Sequence, residues 1–227
     1  MSASPCGKDK NMARPTLEAE LKQIGTSVTA MGQLIEATIS NAIRTLKERD
    51  PDAARALIAS DERIDGMEDE INDKCLGFLA TQSPLAGDLR YVISIMKVIR
   101  DLERIGDHCE DIAKYTLRFG DEAPFKELID IPRMADMASR MVKNAIDAFV
   151  HRDLRLARRV WKADEEVDEI FRDLHDELLD FAEADARNAR QCIMLLFIAA
   201  HLERIADYAT NICEETVFVL EGSTEME

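Results

Sequence analysis

The chain contains the same unit twice. "NAIRTLKERD" from Asn41 returns as "NAIDAFVHRD" from Asn144, and "ASDERID" from Ala59 returns as "KADEEVD" from Lys162, both 103 residues later. "DLERIGDHCEDI" from Asp101 returns as "HLERIADYATNI" from His201, 100 residues later, so the spacing shortens by three around the Ser83-Pro84 turn. Self-similarity at one long period means that one supersecondary unit was duplicated, and this limits the fold more than any local motif does.

Each unit is helical. The 227 residues hold nine Gly and six Pro, and no alternating run long enough for a strand. Asp50-Pro51 has the form of an N-cap followed by proline at the first helical position, and Ser83-Pro84 has the same form. "FGDEAP" from Phe119 is the largest break, with weaker starts at Asp130, Asp153 and Asp185. The punctuation predicts six long helices, roughly 17–49, 51–81, 84–118, 131–151, 153–183 and 186–219. Short turns between long helices imply antiparallel neighbours. The expected fold is therefore all-α, with tandem antiparallel three-helix bundles over 17–119 and 126–220, a disordered N-terminal tail over 1–16 and a C-terminal tail over 221–227.

The repeated helices carry acids on lines that upstream are apolar. Leu89, Met96 and Glu103 share one stripe, with Asp107 a turn beyond; Ala189, Leu196, Glu203 and Asp207 repeat it. Asp61 and Asp65 lie on the preceding helix of the first unit, and Asp164 and Asp168 on that of the second. In an antiparallel pair, residues at equal height have a constant sum of residue numbers. Asp61 with Asp107, and Asp65 with Glu103, both give 168, whose half is the Ser83-Pro84 turn. Asp164 with Asp207, and Asp168 with Glu203, both give 371, whose half falls at Asp185-Ala186. Each hairpin should thus gather four carboxylates. Carboxylates crowded together need cations, protons or hydrogen-bond donors. Oxygen-only ligands favour hard cations, Mg, Mn, Ca or Fe, above Zn or Cu(I). Further donors in reach of these lines are Asp111, its counterpart Asn211, His175 one heptad after Asp168, and Asp101, whose counterpart is His201. Neighbouring arginines such as Arg100, Arg104 and Arg204 could instead tie the acids into salt bridges. Trp161, one turn before Asp164, reads as a core residue.

Other function classes fit poorly. The net charge of −16 disfavours nucleic acid, whose phosphates need clustered Lys and Arg. The longest apolar run, "CIMLLFIAA" from Cys192, is too short to span a bilayer, and the first residues lack the apolar segment of a secretory signal. The five cysteines have no CxxC spacing and read as reduced thiols near helix cores. There is no nucleophile with an adjacent base and no glycine-rich phosphate loop, so catalysis is not expected.

"QSPLAGDLRYVISIMKVIRDLERIGDHCEDIAKY" resembles the signature segment of the PhoU family, bacterial regulators of phosphate uptake, and "LERIADYATNICEE" resembles its second copy. The resemblance runs from about Leu17 to Leu220 and includes the duplication. It implies an all-helical, cytoplasmic, homodimeric protein with metal clusters on Asp61, Asp65, Glu103, Asp107, Asp164, Asp168, Glu203 and Asp207. It also implies negative regulation of the phosphate-starvation response, by linking a phosphate ABC transporter's nucleotide-binding subunit to a sensor histidine kinase, without nucleic acid and without membrane insertion. Two other classes compete. A di-metal carboxylate enzyme of the helical-bundle type expects Glu-x-x-His, and none of the four histidines has Glu three residues before it. A purely structural accessory subunit of another transporter would leave its acids solvated.

Overall fold

The computed structural model describes residues 9–120, 124–224 and 226, with side chains from Leu17 onward. Its elements are α1 (Asp9–Glu48), α2 (Pro51–Ala59), α3 (Glu62–Thr81), α4 (Ala86–Phe119), α5 (Asp130–His151), α6 (Leu154–Ala184), a 3₁₀ turn (Ala186–Asn188) and α7 (Ala189–Glu221), with no strand among the described residues. Thus α1 is described from Asp9, and the boundary drawn at Leu17 falls inside it; residues 1–8 lie outside the described residues.

The duplication extends to the turn chemistry. Arg49 and Arg152 close the first helix of each unit with φ of 53° and 56°, a left-handed conformation costing a non-glycine residue ~1 kcal/mol. The next residue in each case is a capping aspartate. Asp50 accepts from the N–H groups of Asp52 and Ala53 at 3.0 and 2.9 Å, and Asp153 from those of Arg155 and Leu156, both at 3.0 Å. A cap of this kind contributes about 1 kcal/mol and so offsets the strain beside it.

Three local features differ from the sequence reading. The helix expected over 51–81 is divided at Ser60 and Asp61, where Ser60 donates from both N–H and hydroxyl to the Leu57 carbonyl. Both residues keep right-handed helical angles, so α2 and α3 form one rod with a tightened turn and six rods remain. Ser83 makes no cap: α4 starts at Ala86 after Leu85, which offers no side-chain bond. Asp185 does cap, but it caps the 3₁₀ turn, receiving the N–H of Arg187 at 2.9 Å, and α7 begins three residues later than Ala186.

The two units share one apolar core. α1, α4, α7 and α5 pack each against the next in a closed ring, while α2–α3 flanks α1 and α4 and α6 flanks α5 and α7. Cross-contacts between α4 and α7 (Ser94–Glu215, His108–His201, Arg118–Arg190) have residue numbers summing to 308 or 309, so these helices run antiparallel. Fully buried Ile35, Ile39, Ile95, Ile99, Leu102, Ile105 and Phe149 fill the centre. Cys75, Cys109, Cys192 and Cys213 are buried free thiols; Cys6 lies outside the described residues. Burial pushes the Cys75 and Cys213 thiols up to about 11 and about 12, which keeps them unreactive at neutral pH. Trp161, expected in the core, is 41% exposed on the outer side of α6. Among the described residues no helix is long and apolar enough to cross a membrane.

Candidate metal centre

The acids gather in the hairpins on the two flanks. In the first, the Asp61 carboxyl is pushed up to about 6, by burial first and then by the charges of Asp65, Asp107 and Glu110, with Lys114 opposing. Glu103 is raised by burial and then by Asp107, with smaller contributions from Glu68 and Asp65, while Arg104 opposes. The four acids picked from the sequence therefore feel one another's charge. Gly106 explains the close approach of α3. A Cβ there would lie 2.9 Å from Ile64 Cδ1 and 3.2 Å from Asp61 Oδ1, so the Asp61 carboxylate rests on bare backbone between Glu103 and Asp107. Arg104 binds part of this group, at 3.1 Å from Asp107 and 3.5 Å from Glu103.

The second flank is less neutralised. Asp164 is pushed up to about 7, by burial first and then by Asp168, Asp207, Glu203 and Glu165. Glu203 is raised by burial, then by Asp207 and Asp168; Asp207 is raised by burial, then by Asp168; Arg204 lowers both. Among the described residues none of these four carboxylates has an ion pair. Asp164 Oδ1 is buried without a hydrogen-bond partner. A buried acceptor in that state costs roughly 1–3 kcal/mol unless a proton or cation satisfies it. Four carboxylates of which one is orphaned are a donor set that fits a hard cation.

The further donors go elsewhere. Asp101 is half-buried beside Glu215 and Glu214, with Lys97 and Arg100 nearby; desolvation and then Glu215 push it up to about 7. His175 turns its Nδ1 to Asp176 at 3.1 Å, and Asn211 is exposed. Asp111 binds Lys114 at 3.1 Å and belongs with His108 and His201, whose ligand atoms and its own lie within 4.8 Å of one another. Glu110, which the sequence reading passed over, adds its charge to those of Asp65 and Asp107 on Asp61. The two histidines were also missed. The pairing rule within a hairpin is blind to contacts between α4 and α7; the one visible signal was His201 standing where the first copy has Asp101. Burial lowers both imidazoles, His108 to about 4.

The model of the PhoU domain family matches residues 28–116 and again 131–216. A phosphate-specific transport system accessory protein PhoU homolog from Clostridium acetobutylicum is 34% identical over 212 residues, covering 93% of this chain and 97% of that protein. Its counterpart from Caulobacter vibrioides is 38% identical over 204 residues, 89% of each chain. The crystal structure of PhoU from Pseudomonas aeruginosa superposes with a TM-score of 0.86 at 31% identity, covering 91% of this chain and 99% of that one. The phosphate transport system regulatory protein PhoU from Streptococcus pneumoniae gives 0.85 at 31%, covering 92% and 99%. Two matched copies, relatives aligned nearly end to end and the shared fold lead to one conclusion: the chain belongs to the PhoU family.

Proposed function

We propose that this protein is a metal-binding, non-catalytic regulator of phosphate uptake. The reading holds that it acts in the cytoplasm as a homodimer, contacts the nucleotide-binding subunit of a phosphate ABC transporter and a sensor histidine kinase, and restrains the phosphate-starvation response. Relatives named as accessory proteins of phosphate-specific transport support the transporter half. The observation that carries the metal half is the second acid cluster, with Asp164 Oδ1 buried and unpartnered among Asp168, Glu203 and Asp207.

In this reading Asp61, Asp65, Glu103 and Asp107 hold one metal group, and Asp164, Asp168, Glu203 and Asp207 the other. A bound Fe, Mn, Mg or Ca ion supplies positive charge that neutralises four crowded carboxylates. The residues themselves do the rest. Asp61 and Asp65 on the α2–α3 rod and Glu103 and Asp107 on α4 are drawn together, fixing α3 against α4; the second set fixes α6 against α7. Arg104 keeps part of the first set neutral without an ion, so the second flank should depend more on metal. The acidic surface of a chain with net charge −16 suits a basic partner patch through contacts that salt weakens.

Elemental analysis of untagged protein purified without chelator, paired with capture from membranes, tests both halves. Oxygen-ligand metals at two groups per chain and recovery of a transporter subunit or kinase are expected. Metal-free protein with both flanks folded sinks the metal half; recovery of nucleic acid alone sinks the partner half.

A further inference from the structure

A third cluster lies where the two units meet. His108 and Asp111, three residues apart on α4, share one face, and His201 comes from α7 of the other unit. The two Nδ1 atoms are 3.0 Å apart, and one ligand atom from each of the three residues lies within 4.8 Å of the others. Two imidazole nitrogens bound at ~2.1 Å to one ion, at right-angled to tetrahedral separation, lie roughly 3.0–3.4 Å apart. The pair is thus already spaced as one edge of a coordination shell.

Two neutral imidazoles facing through Nδ1 share one hydrogen bond, with one ring donating and the other accepting, and an ion on both Nδ1 atoms replaces that shared proton. The surroundings hold the rings in place. Tyr208 lies 5.7 Å from the His108 ring and Tyr115 5.9 Å from that of His201, while Lys114 fixes one oxygen of Asp111 at 3.1 Å. Asp111 and His201 also line a groove with Arg118 and Arg204, so the rest of a coordination shell is reachable from solvent. Arg204 and Lys114 oppose a cation here, and Asp107 and Asp111 favour one.

We propose that His108, Asp111 and His201 form a binding site for a borderline divalent transition metal, of the zinc or ferrous class, that ties the first unit to the second. Two imidazoles and one carboxylate select that class, whereas oxygen-only clusters select harder ions. Among the described residues the site occurs once. Under the 100-residue repeat its members correspond to Tyr208, Asn211 and Asp101, a set without imidazole. It stands independently of the acid clusters: their ligands come from within one hairpin, and these span two.

Cobalt(II), a spectroscopic substitute for zinc, tests this on the untagged chain, with manganese binding followed in parallel. The wild type should take up one cobalt with the intensified visible absorption of nitrogen ligation, and zinc should displace it. His108→Gln and His201→Asn, made singly and checked for an intact melting transition, should each abolish that absorption and the rise in melting temperature on adding zinc. Manganese stoichiometry should not change in either. Unchanged cobalt absorption in both variants overturns the proposal. So does absorption that disappears when the eight cluster acids become amides while both histidines are intact. Manganese binding lost in the amide variant, with the cobalt signal kept, leaves this site standing and speaks only to the acid clusters.

Discussion

Replacing Asp164 by asparagine should stabilise the metal-free protein at alkaline pH, the reverse of what removing a paired acid does. The folded pKa is about 7 against 3.8 for the free side chain. Between those values the folded state holds a proton that the unfolded chain has released, so stability falls as pH rises, and the whole penalty is present above about 7. A difference of ~3 in pKa corresponds to ~4 kcal/mol for a fully desolvated group. Asp164 is only half buried, and screening by solvent reduces this to about 2 kcal/mol. The isosteric amide removes the charge and keeps the shape. Asp164→Asn should therefore raise the melting temperature at pH 8, in the presence of chelator, by roughly 4–8 °C for a chain of this size. The gain should shrink steadily as pH falls from about 7 towards 4, and it vanishes only below the free value of 3.8, where both states carry the proton. Manganese should raise the wild-type melting temperature at pH 8 and raise that of the variant less. The assay is a set of calorimetric scans of both proteins from pH 4 to 8, each with chelator and with metal. A variant less stable than wild type at pH 8 without metal would refute the reasoning, because Asp164 would then be a satisfied carboxylate.

Further outcomes follow from other parts of the structure. Glu103→Ala with Asp107→Ala should halve the bound metal and leave the second cluster loaded, as read by elemental stoichiometry; loss of all metal would mean a single shared cluster. Gly106→Ala places a methyl 2.9 Å from Ile64 Cδ1 and 3.2 Å from Asp61 Oδ1, so it should cost roughly 1–3 kcal/mol. It should also weaken metal binding at the first cluster alone, whereas Ala206→Gly should change stability by only about 1 kcal/mol through helix propensity; titration calorimetry on both variants separates site from scaffold. Glu215 is 8% exposed and accepts from Ser94 and Lys97, both at 2.7 Å, across α4 and α7. Glu215→Ala should lower stability by ~1–3 kcal/mol in urea unfolding, and an unchanged midpoint would show that this link contributes nothing.

The helices, their duplication and the grouping of eight acids were legible in the sequence because each depends on local rules. Helical periodicity fixes which side chains share a face, and a short turn fixes which residues of the next helix stand opposite. Asp61 with Asp107 and Asp164 with Asp207 follow from those two rules alone. Cap details were less legible: Ser83 was chosen for its residue type, but its hydroxyl does not meet the orphan N–H groups of α4. Trp161 was misplaced because a large apolar residue can lie on the outer edge of a stripe without leaving its helix. What only the tertiary structure decided is how one unit sits on the other. The antiparallel crossing of α4 and α7 is set by how the whole core closes, with residues about a hundred positions apart meeting through packing rather than through a turn. For that reason His108 and His201, 93 residues apart, face each other at 3.0 Å, and Asp101 lies with Glu215 rather than with the acids beside it in sequence.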